Sequence, residues 1–240
     1  MNIKNIMDRV FFTLSVPKCV CCKNRLNYGE KALCLKCSAV FEEFKSRNCS
    51  RCSRLLHKCD CSNDFLSSHY VGRVIKCFRY LDREQATPGN SLIYSLKREN
   101  RSDVLDRCAE ELTEAIRSSV ENPEGYLLTN VPRRKSAIIE HGIDHSALLA
   151  KAVALRLGAK YMPLLKSNAK KPQKSLERTE RMKNADFHII RDIDLTGQQV
   201  IVVDDIITSG ASVSGAASLI RSLGARKITA ACLAIAYKDD

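Results

Sequence analysis

The chain has 240 residues, 28% of them charged, and a formal net charge of +12 at pH 7. No stretch approaches the roughly 20 apolar residues of a membrane-spanning helix, so the composition excludes a helical integral membrane protein and predicts a soluble one. The length suits one full α/β domain with a small appendage.

The N-terminus carries mixed charge and only a short apolar stretch, Val10 to Val16, with no small-residue cleavage site before Pro17. It is expected to dock on the core rather than act as a leader. Nine of the twelve cysteines then fall between Cys19 and Cys61. Their spacing is C-x2-C at Cys19 and Cys22, at Cys34 and Cys37, and at Cys49 and Cys52, followed by C-x-C at Cys59 and Cys61. Two thiolates two residues apart on a tight turn can share one Zn²⁺, and two such knuckles close a four-coordinate structural site. The simple assignment is sequential, with Cys19, Cys22, Cys34 and Cys37 on one zinc and Cys49, Cys52, Cys59 and Cys61 on another. A cross-braced pairing is the alternative, His57 could replace one member of the tight C-x-C chelate, and Cys21 is spare. A disulfide framework would need an oxidising compartment and normally a leader. With Cys77, Cys108 and Cys232 scattered singly, buried thiols in a reducing cytoplasm are the economical account.

Residues 1–67 show no long helical or strand period and could bury little core alone, so metal is expected to supply the missing folding energy. The boundary falls near Ser67 to Gly72, giving a cysteine-rich zinc-binding module at 1–67 and an α/β domain at 68–240. Val71 to Leu81 reads as a strand. The run SLIYSLKRENRSDVLDRCAEELTEAIRSSV has helical spacing, with Leu92, Leu96, Val104, Leu105, Leu112 and Ile116 as core candidates. GYLLTNVPRRK is a short apolar strand ending at Pro132, Ser146 to Leu157 is a helix stopped by Gly158, and KYMPLL is a further strand. From Ser167 to Lys183 the apolar period gives way to charge, which predicts an exposed mobile loop. ITAACLAIA closes the sheet. Strands alternating with helices argue for a doubly wound, mostly parallel sheet whose ligands sit at the carboxyl ends of its strands.

The most informative run is VIVVDDIITSGAS, Val200 to Ser212. Its β-branched start suits a strand buried on both faces. Asp204 and Asp205 follow, then a turn in which Thr208, Ser209 and Ser212 supply hydroxyls and Gly210 allows close backbone approach. The helix from about Val213 to Leu223 points its free N–H groups at that turn, the arrangement that holds a phosphate. The bland alternatives are a buried strand ending in a solvated turn and an acidic strand edge holding Mg²⁺ for other chemistry. The run resembles the 5-phosphoribosyl-1-pyrophosphate (PRPP) signature of type I phosphoribosyltransferases. That resemblance implies ribose contacts at Asp204 and Asp205, a 5′-phosphate loop from Ile207, Thr208, Ser209, Gly210, Ala211 and Ser212, and Mg²⁺ bound with PRPP.

Cysteine knuckles ahead of such a domain resemble the ComF family, whose members are associated with DNA uptake in natural competence. Leu96, Lys97 and Arg98 resemble its leucine-lysine element, Asn130 to Lys135 its pyrophosphate-side strand end, and Gln173, Leu176, Arg181 and Asn184, ahead of Phe187, its glutamine, leucine, arginine and asparagine pattern. Where the family commonly has Arg-Gly-Phe-Asn-Gln, this chain has His141, Gly142, Ile143, Asp144 and His145, so a cation, an aromatic and an amide are lost. His145 at a helix start is expected to be a cap or a surface residue. Arg133 and Lys135 are the candidates at a departing pyrophosphate, and Lys170, Lys171, Lys174, Arg178 and Arg181 could close over the site as a lid.

Between Thr129 and Lys183 there are 13 Lys and Arg against 4 Asp and Glu, more charge than one small anion requires, which makes single-stranded DNA a second candidate partner. An aromatic content of 6% without tryptophan weakens base stacking but leaves phosphate contacts. The alternatives to an active transferase are a non-catalytic nucleic-acid-binding protein and a module that docks on the DNA-uptake machinery.

Overall fold

A computed structural model describes residues 17–81, 87–168 and 187–236. In chain order it contains helices α1 (Leu35–Lys45) and α2 (Asp64–Ser68), strand β1 (Val71–Arg79), α3 (Pro88–Arg98), α4 (Ser102–Ser119), β2 (Leu127–Asn130), α5 (Lys135–His141) and α6 (His145–Leu157). Strands β3 (Lys160–Tyr161), β4 (Leu165–Ser167), β5 (Phe187–Ile189) and β6 (Gln199–Ile207), helix α7 (Ala211–Ser222) and strand β7 (Lys227–Ile235) complete it. Five strands pair in parallel in the order β1-β7-β6-β2-β3, and β4 and β5 form a separate antiparallel pair. The Val10 to Val16 stretch lies outside the described residues.

The central strands are apolar throughout because both their faces are covered. Along β6, Ile201 and Val203 join the core shared with α1, α3, α4 and α6, whereas Val200 and Val202 join the core shared with α7. Burying each such side chain contributes about 1.5–3 kcal/mol. Helix α4 turns Val104, Cys108, Leu112, Ala115 and Ile116 inward at three- and four-residue intervals. Thr87 caps α3 by accepting a hydrogen bond from the Asn90 amide at 3.1 Å, and Pro88 opens the helix where an N–H would be orphaned anyway.

The chain moves from β2 outward to β3, returns to β6, and then moves the opposite way to β7. That reversal falls between β2 and β6, where an open parallel sheet leaves a crevice beyond its carboxyl ends.

The cysteine-rich segment straddles the sheet edge. Cys19 and Cys37 pack into the core on the α4 side, and Cys49 and Cys59 into the core on the α7 side. Between them the chain runs along β1, with the Val74 amide donating to the Asp60 carbonyl at 2.9 Å and Cys61 bridged to Arg73. A sheet edge that would otherwise stay open is thereby covered.

Several sequence expectations are corrected. The first 67 residues do contain a helix, α1, which buries Cys37, Phe41 and Phe44 at i, i+4 and i+7. Its period is masked in sequence because one of the three is also a candidate metal ligand. The single helical run divides into α3 and α4 at Asn100, which takes a left-handed φ of 46°. KYMPLL is not one strand: Pro163, lacking an N–H, separates β3 from β4. Among the described residues no helix is long and apolar enough to cross a membrane.

Candidate active site

Asn130 at the end of β2 is paired with Val203 of β6, and the Val131 amide donates to the Val203 carbonyl at 3.0 Å. The residues that follow this pair, Val131 onward and Asp204 onward, therefore emerge side by side. They line a cleft of about 250 Å³ whose walls include Pro132, Arg133, Arg134, Asp204, Asp205 and Ser212, with Lys97 from α3 and Phe187 from β5.

Asp205 is almost wholly buried and paired with two cations. Lys97 Nζ lies 3.1 Å from one carboxylate oxygen, and the Arg133 guanidinium bonds the other. Burial alone would raise this carboxyl, but Lys97 and Arg133 hold it below the usual carboxylate range. Asp204 behaves in the opposite way. Burial, and then the negative charge of Asp205, push it up to about 7, with Arg133 and Lys97 offsetting part of the shift. The doublet thus pairs an ionised carboxylate with one poised near neutrality. Both are hard oxygen donors of the kind Mg²⁺ takes one or two at a time beside phosphate oxygens.

Beyond β6, Thr208 to Gly210 form the turn and α7 begins at Ala211. Gly210 is the residue before the first helical turn, with φ +83°, a left-handed conformation that side chains disfavour. Gly210 has no side chain with which to cap the helix, and the Ala211 amide donates to Ser209 Oγ at 3.4 Å. The first N–H groups of α7 have no partner within the helix and carry the positive end of its dipole. Ser212 reaches the cleft, while Ile207 is buried as the last residue of β6.

The strand end opposite is held by a polar network. Tyr161 Oη donates to Asn130 Oδ1 at 2.8 Å, the Asn130 amide bonds Ser146 Oγ at 3.2 Å, and Ser146 Oγ donates to the Val131 carbonyl at 2.7 Å. Asp144 caps α6 by accepting from the Ala147 amide at 3.1 Å. His145 is buried at 2% exposure, not a cap or surface residue. Two positions of the departure at 141–145 thus serve the scaffold.

Lys135 is exposed at the start of α5 and does not line the cleft, where Arg134 and Lys97 do. Arg134 lies within the Asn130 to Lys135 segment singled out in sequence but was not named there as a candidate, and Lys97 was visible only as part of the leucine-lysine element. Lys170, Lys171, Lys174, Arg178 and Arg181 lie outside the described residues.

The cysteines gather as two sets, Cys19, Cys22, Cys34 and Cys37, and Cys49, Cys52, Cys59 and Cys61, with the four sulfurs of each within 4.8 Å of one another. Cys22 and Cys34 Sγ are 3.6 Å apart, as are Cys52 and Cys59 Sγ. A Zn–S bond of 2.3 Å in a tetrahedron places its sulfurs about 3.8 Å apart, so both sets fit such an ion. Sequential grouping is what the structure shows. His57 turns away, with Nδ1 3.2 Å from the Lys45 carbonyl oxygen. Among the described residues no disulfide joins cysteines.

The leading knuckle of each set has one backbone frame. Cys19 N donates to Asn24 O and Lys23 N to Cys19 O. Equivalently, Cys49 N donates to Arg54 O and Ser53 N to Cys49 O. Lys23 and Ser53 both take positive φ, and the Lys18–Arg25 bridge matches the Asn48–Leu55 bridge. This internal repeat went unread in sequence, since only its cysteines and one leucine, Leu26 and Leu56, recur.

Residues 143–239 match the family described as Phosphoribosyl transferase domain. An adenine phosphoribosyltransferase of Salmonella gallinarum is 30% identical over 124 residues, covering 48% of this chain and 67% of that protein. One from Bradyrhizobium sp. strain ORS 278 is 33% identical over 94 residues, 38% of this chain and 51% of that protein, so the chain spans about half the length of the first curated relatives it matches. A purine phosphoribosyltransferase structure from Pyrococcus horikoshii aligns over 55% of this chain and 73% of that chain, at 20% identity and a TM-score of 0.36. The chain belongs to the phosphoribosyltransferase family.

Proposed function

We propose that the cleft binds PRPP, with Asp204 and Asp205 accepting hydrogen bonds from the ribose hydroxyls and the turn from Ile207 to Ser212 holding the 5′-phosphate. The observation that carries this reading is the sequence of groups along one strand end: two carboxylates of opposed acidity on the cleft, then a glycine-started helix whose first turn reaches the same cleft through Ser212. Arg133, Lys97 and Arg134 lie on the side where pyrophosphate would leave. Mg²⁺ held with PRPP would neutralise that leaving group. An incoming nucleophile would form its bond to the anomeric carbon as the bond to pyrophosphate breaks, so the residues' work is positioning and electrostatics, and no covalent enzyme intermediate is needed. Residues 1–67 are a module folded on two zinc ions, and 68–240 the phosphoribosyltransferase domain, in a reducing cytoplasm.

A role in DNA uptake follows from the ComF-like order of cysteine knuckles and transferase domain. Exposed Tyr94 under the Arg98 guanidinium at 4.9 Å supplies the aromatic and cation that a single strand would use. Calorimetric titration of Mg²⁺ and PRPP into the zinc-loaded chain should give binding that Asp205→Ala removes. A short single-stranded oligonucleotide should bind with steep salt dependence that survives the same change. Wild-type protein that does not take PRPP would overturn the transferase reading.

A further inference from the structure

Gly210 is enclosed from the far side by the cysteine-rich segment. A Cβ built on it would lie 2.8 Å from Leu66 Cδ2 and 2.9 Å from Cγ, closer than such carbons approach. Leu66 is wholly buried in the centre of α2, in the same core as Cys49, Cys59 and Val213. Helix α2 is fixed by its neighbours in the second cluster. Asn63 Oδ1 accepts from the Leu66 amide at 2.8 Å. Ser62 Oγ donates to the Val71 carbonyl at 2.7 Å. Arg51, inside the Cys49–Cys52 knuckle, bonds the Ser62 carbonyl and lies 2.6 Å from Asp64. Contact therefore runs from knuckle to Arg51, to both ends of the Ser62–Asp64 step, to Leu66, and to the backbone of the turn. The first cluster packs into the core on the other face of the sheet.

We propose that Leu66 is a positioning residue of the phosphate turn, and that closure of the second cysteine cluster around its metal sets how firmly that turn holds a phosphorylated ligand. The proposal rests on the reading of the turn as a 5′-phosphate holder. Its physical basis is preorganisation: donors already fixed for an anion spend none of the binding energy on ordering themselves. Removal of the Leu66 side chain, or release of the metal that fixes α2, leaves the Gly210 backbone without its wall.

The test uses the full chain loaded with zinc. Leu66→Ala is expected to weaken Mg²⁺–PRPP binding about tenfold while zinc content by elemental analysis stays at the wild-type value. Leu112→Ala, an equally buried truncation in α4 on the opposite face, is expected to leave the affinity unchanged. Hydrogen exchange at the amides of 208–213 needs no ligand and should quicken both in Leu66→Ala and in wild-type protein stripped of zinc. Should Leu66→Ala fail to fold, Leu66→Val is expected to act in the same direction. Unchanged exchange and unchanged affinity on truncation of Leu66 would overturn the proposal. Wild-type protein that shows the exchange effect but binds no PRPP would instead overturn the functional reading and leave the mechanical link standing.

Discussion

The Arg133 guanidinium, just beyond β2, is ion-paired with the Asp205 carboxylate, near the end of β6, across the mouth of the cleft. This cation and Lys97 neutralise a carboxylate that the proposed ribose would use. A ribose bound at this carboxylate would share it with both cations. Arg133→Met should therefore act twice, weakening PRPP binding by at least tenfold and lowering stability by about 1–3 kcal/mol through loss of a charged hydrogen bond to a buried group. Calorimetry and urea unfolding read the two effects separately, and a variant matching wild type in both would show the pair to be incidental.

The acidic doublet predicts a pH dependence. Asp204, raised to about 7, binds its proton more tightly folded than unfolded, so its contribution to stability declines as pH rises from about 4 to about 7. Asp205 runs the other way: its contribution is present above about pH 4 and is lost as acid carries the solution down through its lowered value. Compared with Asp204→Asn, the wild type should lose urea resistance steadily across pH 4–7 and hold a constant difference above it. PRPP affinity should rise through the same upper range, because ribose hydroxyls and Mg²⁺ favour the ionised carboxylate. A pH-independent difference between the two proteins would contradict the assignment.

Each of the two four-sulfur sets could hold one metal ion, so the proposed zinc module predicts two per chain. Native mass spectrometry of protein prepared with zinc and reductant should show two. Cys37→Ser and Cys59→Ser should each bring this to one, since each removes a sulfur from a different set. A single ion in the wild type would refute the geometric assignment.

Lys45 of α1 and Glu111 of α4 form a second buried charge pair, 2.5 Å apart with side chains only 9% and 7% exposed. Arg107 lies 2.7 Å from the same carboxylate. Glu111→Ala leaves two cations together, with Glu42 as the remaining acid at 2.9 Å from Lys45, and should destabilise the protein by about 3–5 kcal/mol. Lys45→Met should cost less, because Arg107 still satisfies Glu111. Equal losses in urea unfolding would mean that packing of α1, rather than charge, is what the pair supplies.

The strand, doublet and turn from Val200 to Ser212 were legible because each demand there is local: β-branched burial, a strand end, a glycine at positive φ. The sulfur sets were legible by spacing. What sequence hid is long-range. Lys97, a helix residue far from the doublet in the chain, meets Asp205 only because α3 packs beside the carboxyl end of β6. Leu66 is an ordinary apolar residue in a five-residue helix, and its bearing on Gly210 exists only once the sheet has formed. His145 resembled a cap by position, but Asp144 fills that role and the imidazole turns inward. Lys135 was grouped with Arg133 by proximity in sequence, and the onset of α5 at that residue carries it away from the cleft.

Among the described residues strand β1 has one hydrogen-bonded neighbour in the sheet, β7, the last of the described strands. During synthesis Val71 to Arg79 emerge long before that neighbour exists, and among the described residues the Asp60–Ser62 stretch is at hand to occupy their backbone groups. A ribosome-bound or prematurely truncated chain starved of zinc would present this segment naked along both sides. Metal supply should therefore govern the yield of soluble protein during expression more strongly than it governs the survival of molecules already folded.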